Sequence, residues 1–257
     1  MPRRPPIHHR VDGAGPVLTL VHGVGARLES WDGVMGRLAP HFRVVRLDLR
    51  GHGRSGPIEG SCSLEDFADD VRHVWDQVGV SRSHLAGFSL GGLIAQSLAL
   101  SDAHRIDKLI VLSAVAGRTE EERAKVVHRL KLVQTEGIAS VLGMAEERWF
   151  TPEFRAAHPD KVAARLKELR ENDPHSYAAA YTVFATGDLG TRLHEIHNPT
   201  LIATGENDVG SNVRMARMMH ERIRGSSLRI LPRLRHSVLV EASDQVAELF
   251  IEFLTRS

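Results

Sequence analysis

Short apolar runs alternate along most of this chain with stretches in which apolar residues recur every third or fourth position. Val17-Leu18-Thr19-Leu20-Val21 is nearly continuous in apolar character, as expected of a strand buried on both faces. Residues 44–48, 84–88, 108–112, 200–204 and 227–231 carry similar runs, and 7–11 is a shorter one ahead of the turn at 12–16. Helical patterns intervene near 31–38, 93–99, 213–223 and 244–254. Ser63 with Asp66 three residues later reads as a capping box. It opens a helix whose Phe67, Val71, Val74 and Val78 fall on one face. The texture changes between residues 118 and 189, where no strand-like run occurs. Charged helical patterns at 120–133 and 159–171 are broken there by Gly137, Pro152, Pro159 and Pro174. Strands alternating with helices predict an α/β fold, with a mostly parallel central sheet flanked by helices on both faces. On this reading residues 1–117 and 190–257 form the core, and 118–189 is a helical insertion between two core strands. Ligands of such sheets bind beyond the carboxyl ends of the strands.

Composition narrows the choice. The chain has 257 residues, 42% of them hydrophobic, enough for one large core. A formal net charge of +1 gives no reason to expect a nucleic-acid or membrane partner. No apolar run approaches membrane-spanning length. The basic start, Met1-Pro2-Arg3-Arg4-Pro5-Pro6, is followed by no apolar segment of the kind a signal peptide needs. Cys62 is the only cysteine, which excludes an internal disulfide and suits a reducing compartment, so a cytoplasmic location is expected.

The chemistry gathers at strand ends. His84-Leu85-Ala86-Gly87-Phe88-Ser89-Leu90-Gly91-Gly92 reads as a strand, a sharp turn with serine at its apex, and a helix start. In so tight a turn a Cβ at position 87 or 91 would crowd the neighbouring strand and helix. By itself the motif also fits a glycine-rich turn whose serine merely caps a helix. Three further elements follow predicted strands: His22-Gly23-Val24-Gly25, Asp208 and His236. Serine, acid and histidine in that chain order form a nucleophilic constellation. A serine hydroxyl is a poor nucleophile at neutral pH, so His236 would take its proton as general base and return it to the leaving group. Asp208 would fix the imidazole tautomer and stabilise the imidazolium. The backbone N–H groups of Val24 and Leu90 would receive the oxyanion, where losing one donor costs roughly 3–4 kcal/mol in hydrolases. Glu206 and Asp188 are rivals for the acid, and His22 and His52 suit structural roles in glycine-rich turns. Nothing pairs Cys62 with a base.

These segments resemble the α/β-hydrolase superfamily: His22-Gly23-Val24-Gly25 with Ser30-Trp31-Asp32, Asp48-Leu49-Arg50-Gly51-His52-Gly53-Arg54-Ser55, and Gly87-Phe88-Ser89-Leu90-Gly91-Gly92. Glu147-Arg148-Trp149-Phe150-Thr151-Pro152-Glu153-Phe154 and Asp173-Pro174-His175-Ser176-Tyr177 are similar to 3-oxoadipate enol-lactonases, bacterial enzymes of aromatic-compound breakdown that open an enol-lactone ring. The resemblance implies an α/β-hydrolase fold with residues 118–189 as a helical cap. It implies a Ser-His-Asp hydrolase of a small lactone or ester, with no metal or organic cofactor, as a monomer or small homo-oligomer. The lactone carries a carboxylate, and Arg148 beside Trp149 is its candidate anchor, with Tyr181 and Phe184 as further pocket walls. Alternatives are a carbon–carbon hydrolase of a ring-cleavage product, a general carboxylesterase, and a non-catalytic ligand binder on the same fold. Haloalkane dehalogenases and epoxide hydrolases carry aspartate where Ser89 stands. Two positions depart from the family pattern. Val209-Gly210-Ser211 follows Asp208 where a proline-containing loop is usual, and Arg235 precedes His236 where glycine is usual. Both are expected to alter the mouth of the pocket.

Overall fold

The computed structural model describes residues 5–256; Met1 to Arg4, the charged part of the basic start, lie outside them. Seven strands build one sheet: β1 (His9–Asp12), β2 (Val17–Val21), β3 (Arg43–Leu47), β4 (Ser83–Phe88), β5 (Ile106–Leu112), β6 (Thr200–Gly205) and β7 (Ser227–Leu231). Their spatial order is β1-β3-β2-β4-β5-β6-β7. Only β1 runs antiparallel, against β3; every other pairing is parallel.

Alternation along the strands feeds two cores. Leu85, Leu109, Val111 and Ile202 point into one, while Leu18, Leu20, Ala86, Ile110, Leu112 and Leu201 point into the other. This is why the strands read as continuous apolar runs. The second core is closed by α1 (Asp32–Leu38) and, near the C-terminus, α10 (Val238–Glu241) and α11 (Ser243–Thr255), with Trp31, Val34, Leu38, Val246 and Phe250 buried. The first is closed by α2 (Leu64–Gln77), α3 (Leu90–Ser101) and α9 (Val213–Arg222). The expected capping box opens α2: the Asp66 amide donates to Ser63 Oγ at 3.1 Å and the Ser63 amide to Asp66 Oδ2 at 2.9 Å. Phe67, Val71 and Val74 are buried, and Val78 stands one residue past the helix as its C-cap.

Between β5 and β6 the chain runs through five helices: α4 (Glu120–Glu136), α5 (Leu142–Trp149), α6 (Pro152–Ala157), α7 (Pro159–Arg170) and α8 (Pro174–Thr186). The breaking prolines take the place that suits them, since Pro152, Pro159 and Pro174 each start a helix where no N–H is needed. At the base of this excursion Asp188 accepts hydrogen bonds from the amides of Gly117 (2.7 Å), Arg118 (3.0 Å) and Gly190 (2.9 Å), tying its two ends together.

Candidate active site

The register sets Val21 beside Gly87, so the loops after β2 and β4 leave the sheet side by side. Between β4 and α3, Ser89 adopts φ 56° and ψ −114°. A non-glycine residue held there costs on the order of 1–3 kcal/mol. A Cβ on Gly87 would stand 2.0 Å from the Gly91 carbonyl oxygen, and one on Gly91 2.1 Å from that of Val21. Ser89 is the N-cap of α3, yet its side chain makes no capping hydrogen bond. The simple capping turn is therefore not what this serine forms.

His236 follows β7 and Asp208 follows β6, and the two meet at 2.6 Å between His236 Nδ1 and Asp208 Oδ2. The other carboxylate oxygen accepts from the Gly210 and Ser211 amides at 2.8 and 2.9 Å. Burial would raise the Asp208 carboxyl, but the His236 charge, its hydrogen bond and the two amides outweigh that and hold it below the usual carboxylate range. With Nδ1 turned to Asp208, Nε2 is the ring nitrogen left to exchange a proton. Phe88 packs on the imidazole with ring centroids 5.0 Å apart. The rivals for the acid are engaged elsewhere. Glu206 takes the Arg233 amide at 2.7 Å, and Asp188 closes the base of the helical excursion. Burial pushes the Cys62 thiol up to about 12, so little thiolate forms near neutrality.

His22 and His52 brace the loop between β2 and α1. His22 Nε2 accepts the Leu49 amide at 2.9 Å while Nδ1 contacts the Gly23 carbonyl at 2.7 Å. His52 Nε2 accepts the Gly25 amide at 3.0 Å while Nδ1 contacts the Arg50 carbonyl at 3.0 Å. Both rings are therefore neutral with the proton on Nδ1. Burial lowers His22 to about 4, and burial with the nearby His22 ring lowers His52 to about 3. Gly25 and Ala26 spend their amides on His52 and Gly23, while the Val24 amide has no protein partner among the described residues. The Leu90 amide opens α3, where helix N–H groups have no acceptor within the helix.

Ser89 and His236 share a cavity of about 600 Å³, within the usual range for a small-molecule site. Val24, Arg148, Trp149, Tyr181 and Phe184 line it too, so the structure brings these residues to one place. Leu90 is not among the residues that line it, and its side chain is buried in the core. Sequence reading missed Tyr177, Arg118, Arg129 and Arg165, which also line the cavity. Tyr177 was within reach, since 177, 181 and 184 fall on one helical face. The arginines carried no signal, because nothing in α4, α7 or the loop before α4 distinguishes an inward arginine from a solvated one.

Arg235 does more than alter the pocket mouth. Its guanidinium donates to the carbonyls of Glu147 and Phe150 at the end of α5. Ser237 N–H donates to the Trp149 carbonyl at 2.9 Å, and Glu241 accepts from the Thr151 amide (3.0 Å) and hydroxyl (2.7 Å). The loop carrying His236 is thus clamped to the segment carrying Arg148 and Trp149. A glycine before the histidine could not make this brace.

A strand–serine–helix elbow, a buried Asp–His pair and a cavity roofed by helices between β5 and β6 define an α/β hydrolase, and the chain belongs to that superfamily. The family described as serine aminopeptidase, S33, matches it over residues 14–243. It is similar to (E)-2-((N-methylformamido)methylene)succinate hydrolase of Acinetobacter baylyi, 29% identical over 93% of this chain and 90% of that one. It is also similar to 3-oxoadipate enol-lactonase 1 of the same organism, 25% identical over 93% of this chain and 88% of the relative. Among solved structures, the enol-lactonase from Burkholderia xenovorans LB400 superposes with a TM-score of 0.91 at 28% identity, covering 97% of this chain and 96% of that one. Among the described residues no helix is long and apolar enough to cross a membrane.

Proposed function

We propose that this protein is a serine hydrolase of small, carboxylate-bearing lactones or esters, with 3-oxoadipate enol-lactone the best single substrate, acting in the cytoplasm in aromatic-compound catabolism. The observation that carries this reading is the 2.6 Å Asp208–His236 pair opening, with the strained Ser89, on one cavity. Ser89 Oγ attacks the lactone carbonyl while His236 Nε2 takes its proton. Negative charge develops on the former carbonyl oxygen, which the Val24 and Leu90 amides receive. The ring C–O bond breaks, and the leaving enol oxygen takes the proton back from imidazolium. Water then attacks the acyl-enzyme with His236 again as base, releasing a carboxylate and restoring Ser89. Asp208, already ionised and hydrogen-bonded, stabilises the imidazolium formed in each half. Arg148 anchors the substrate carboxylate, Trp149, Tyr181 and Phe184 form the walls, and residues 118–189 serve as a cap that excludes water.

The lactonases and the succinate-derivative hydrolase among its relatives support this class. The aminopeptidase description of the family fits this cavity poorly. A free α-ammonium needs acceptors, and unpaired guanidiniums face it instead. The test is labelling with a serine-directed phosphonate, together with enol-lactone opening followed by its ultraviolet absorbance beside a short p-nitrophenyl ester. Labelling at Ser89 with fast lactone opening is the expected result. Ester cleavage with an inert lactone keeps the triad and discards the lactone. Absence of labelling returns the chain to a non-catalytic binder.

A further inference from the structure

The cavity carries more positive charge than its own acids neutralise. Lys125 pairs with Glu121 at 2.5 Å and Arg214 with Glu122. Arg118 donates to the carbonyls of Phe184, Ala185 and Gly187 at the end of α8. Arg165 lies 4.6 Å from the Trp149 ring, donates to the Gly25 carbonyl at 3.0 Å and stands 3.8 Å from Glu168. Two guanidiniums in the lining remain, Arg129 on α4 and Arg148 on α5. Neither forms an ion pair with any described residue. Arg148 Nε is buried with no hydrogen-bond partner, and the nearby Asp208 carboxylate is already committed to His236 and two amides. Arg129 Nε donates to the Tyr181 hydroxyl at 3.2 Å, which leaves that hydroxyl's own proton and the Arg129 terminal nitrogens to donate.

Arg129 is half-buried, but Arg148 holds a desolvated cation without a counter-ion, which is costly. Desolvation and then the charge of Arg129 lower the proton affinity of Arg148, so the two cations sense each other across the cavity. An anchor for one carboxylate needs one of them. A guanidinium fork binds one carboxylate bidentately, and these two forks stand on different helices. We infer that the cavity takes a dianionic substrate, with one carboxylate on Arg148 and a second on Arg129 and the Tyr181 hydroxyl. Within the proposed hydrolase class this favours lactones or esters with two free carboxylates over 3-oxoadipate enol-lactone, which has one, and it rests on that reading for the place of the scissile carbonyl. A lactone with a single carboxylate leaves the Arg129 subsite empty.

Calorimetry on the intact protein separates this from the catalytic reading, because it needs no turnover. The probes are two pairs that each differ by one carboxylate: glutarate with propane-1,2,3-tricarboxylate, and adipate with butane-1,2,4-tricarboxylate. The shared carboxylates occupy the acyl position and Arg148. In at least one pair the tricarboxylate binds about tenfold or more tightly than its partner, the gain of one charge-assisted contact. Arg129→Gln removes that gain, Arg129→Lys keeps part of it, and Tyr181→Phe reduces it, with thermal melts showing that each variant is folded. Equal affinities within both pairs, or a gain that survives in folded Arg129→Gln, overturn the inference. Loss of phosphonate labelling at Ser89 with the gain intact would instead refute the hydrolase and spare the subsite.

Discussion

Lowering the pH should destabilise this protein through two buried histidines. His22 and His52 titrate near 4 and 3 in the fold because burial disfavours their charge, against about 6.5 in the unfolded chain. Their folded values are depressed, so their contribution is fully present above pH 6.5 and is lost as pH falls toward the folded values. In the window from about pH 6 to 4.5 the unfolded chain binds about two more protons than the native one. Stability then falls by about 2.7 kcal/mol per pH unit. Summed from pH 7 to 4.5 the loss is about 5 kcal/mol, comparable with the whole stability of many domains. His84, also lowered by burial, adds in the same direction, while Glu168 and Glu241, raised by burial, act against it. Function should fail in step. A protonated His52 cannot accept the Gly25 amide, and the loop presenting the Val24 N–H then loses its brace. The assay is urea unfolding by circular dichroism at half-unit steps from pH 7 to 4.5. His52→Gln serves as comparison, since it keeps an acceptor that does not titrate and should halve the slope. A stability loss under about 1.4 kcal/mol across this range refutes the reasoning.

Asp208→Asn should leave the fold intact and cut kcat by about 10⁴-fold, the size such a substitution has in a serine-protease triad, because the amide favours the wrong imidazole tautomer. Steady-state kinetics with any cleaved ester checks this, and a fully active variant would exclude Asp208 as the acid. Gly87→Ala places a methyl group 2.0 Å from a backbone oxygen that cannot withdraw. It should destabilise by more than about 4 kcal/mol or abolish soluble expression, read by thermal melts. Arg235→Gly, which restores the usual family residue, removes the donor to the Glu147 and Phe150 carbonyls. The loss should be about 1–3 kcal/mol of anchoring of the α5 segment, seen as a raised KM for carboxylate-bearing substrates with little change in global melting. An unchanged KM would mean that the brace does not position Arg148.

Local sequence sufficed wherever local geometry carries the constraint. The alternation of strands with helices followed from apolar periodicity, and the serine elbow from two glycines that no other residue can replace. The capping box at Ser63 and Asp66 followed from its spacing, and the chain order of serine, acid and histidine from their places after strands. Even the excursion between β5 and β6 was legible, because charged helical texture interrupted by prolines cannot lie in a sheet buried on both faces. What the sequence left open was which charged residues turn inward. Glu206 and Asp188 stood as weaker rivals to Asp208 until the ends of β6 and β7 brought Asp208 within 2.6 Å of His236. Arg235 read as a disturbance of the pocket mouth until its contacts with Glu147 and Phe150 showed a brace. Arg148 was singled out only through the family resemblance, and Arg129 was one among many surface-like arginines. Their missing counter-ions became visible only when five helices folded over Ser89, because a charge is paired or unpaired only through neighbours distant in the chain.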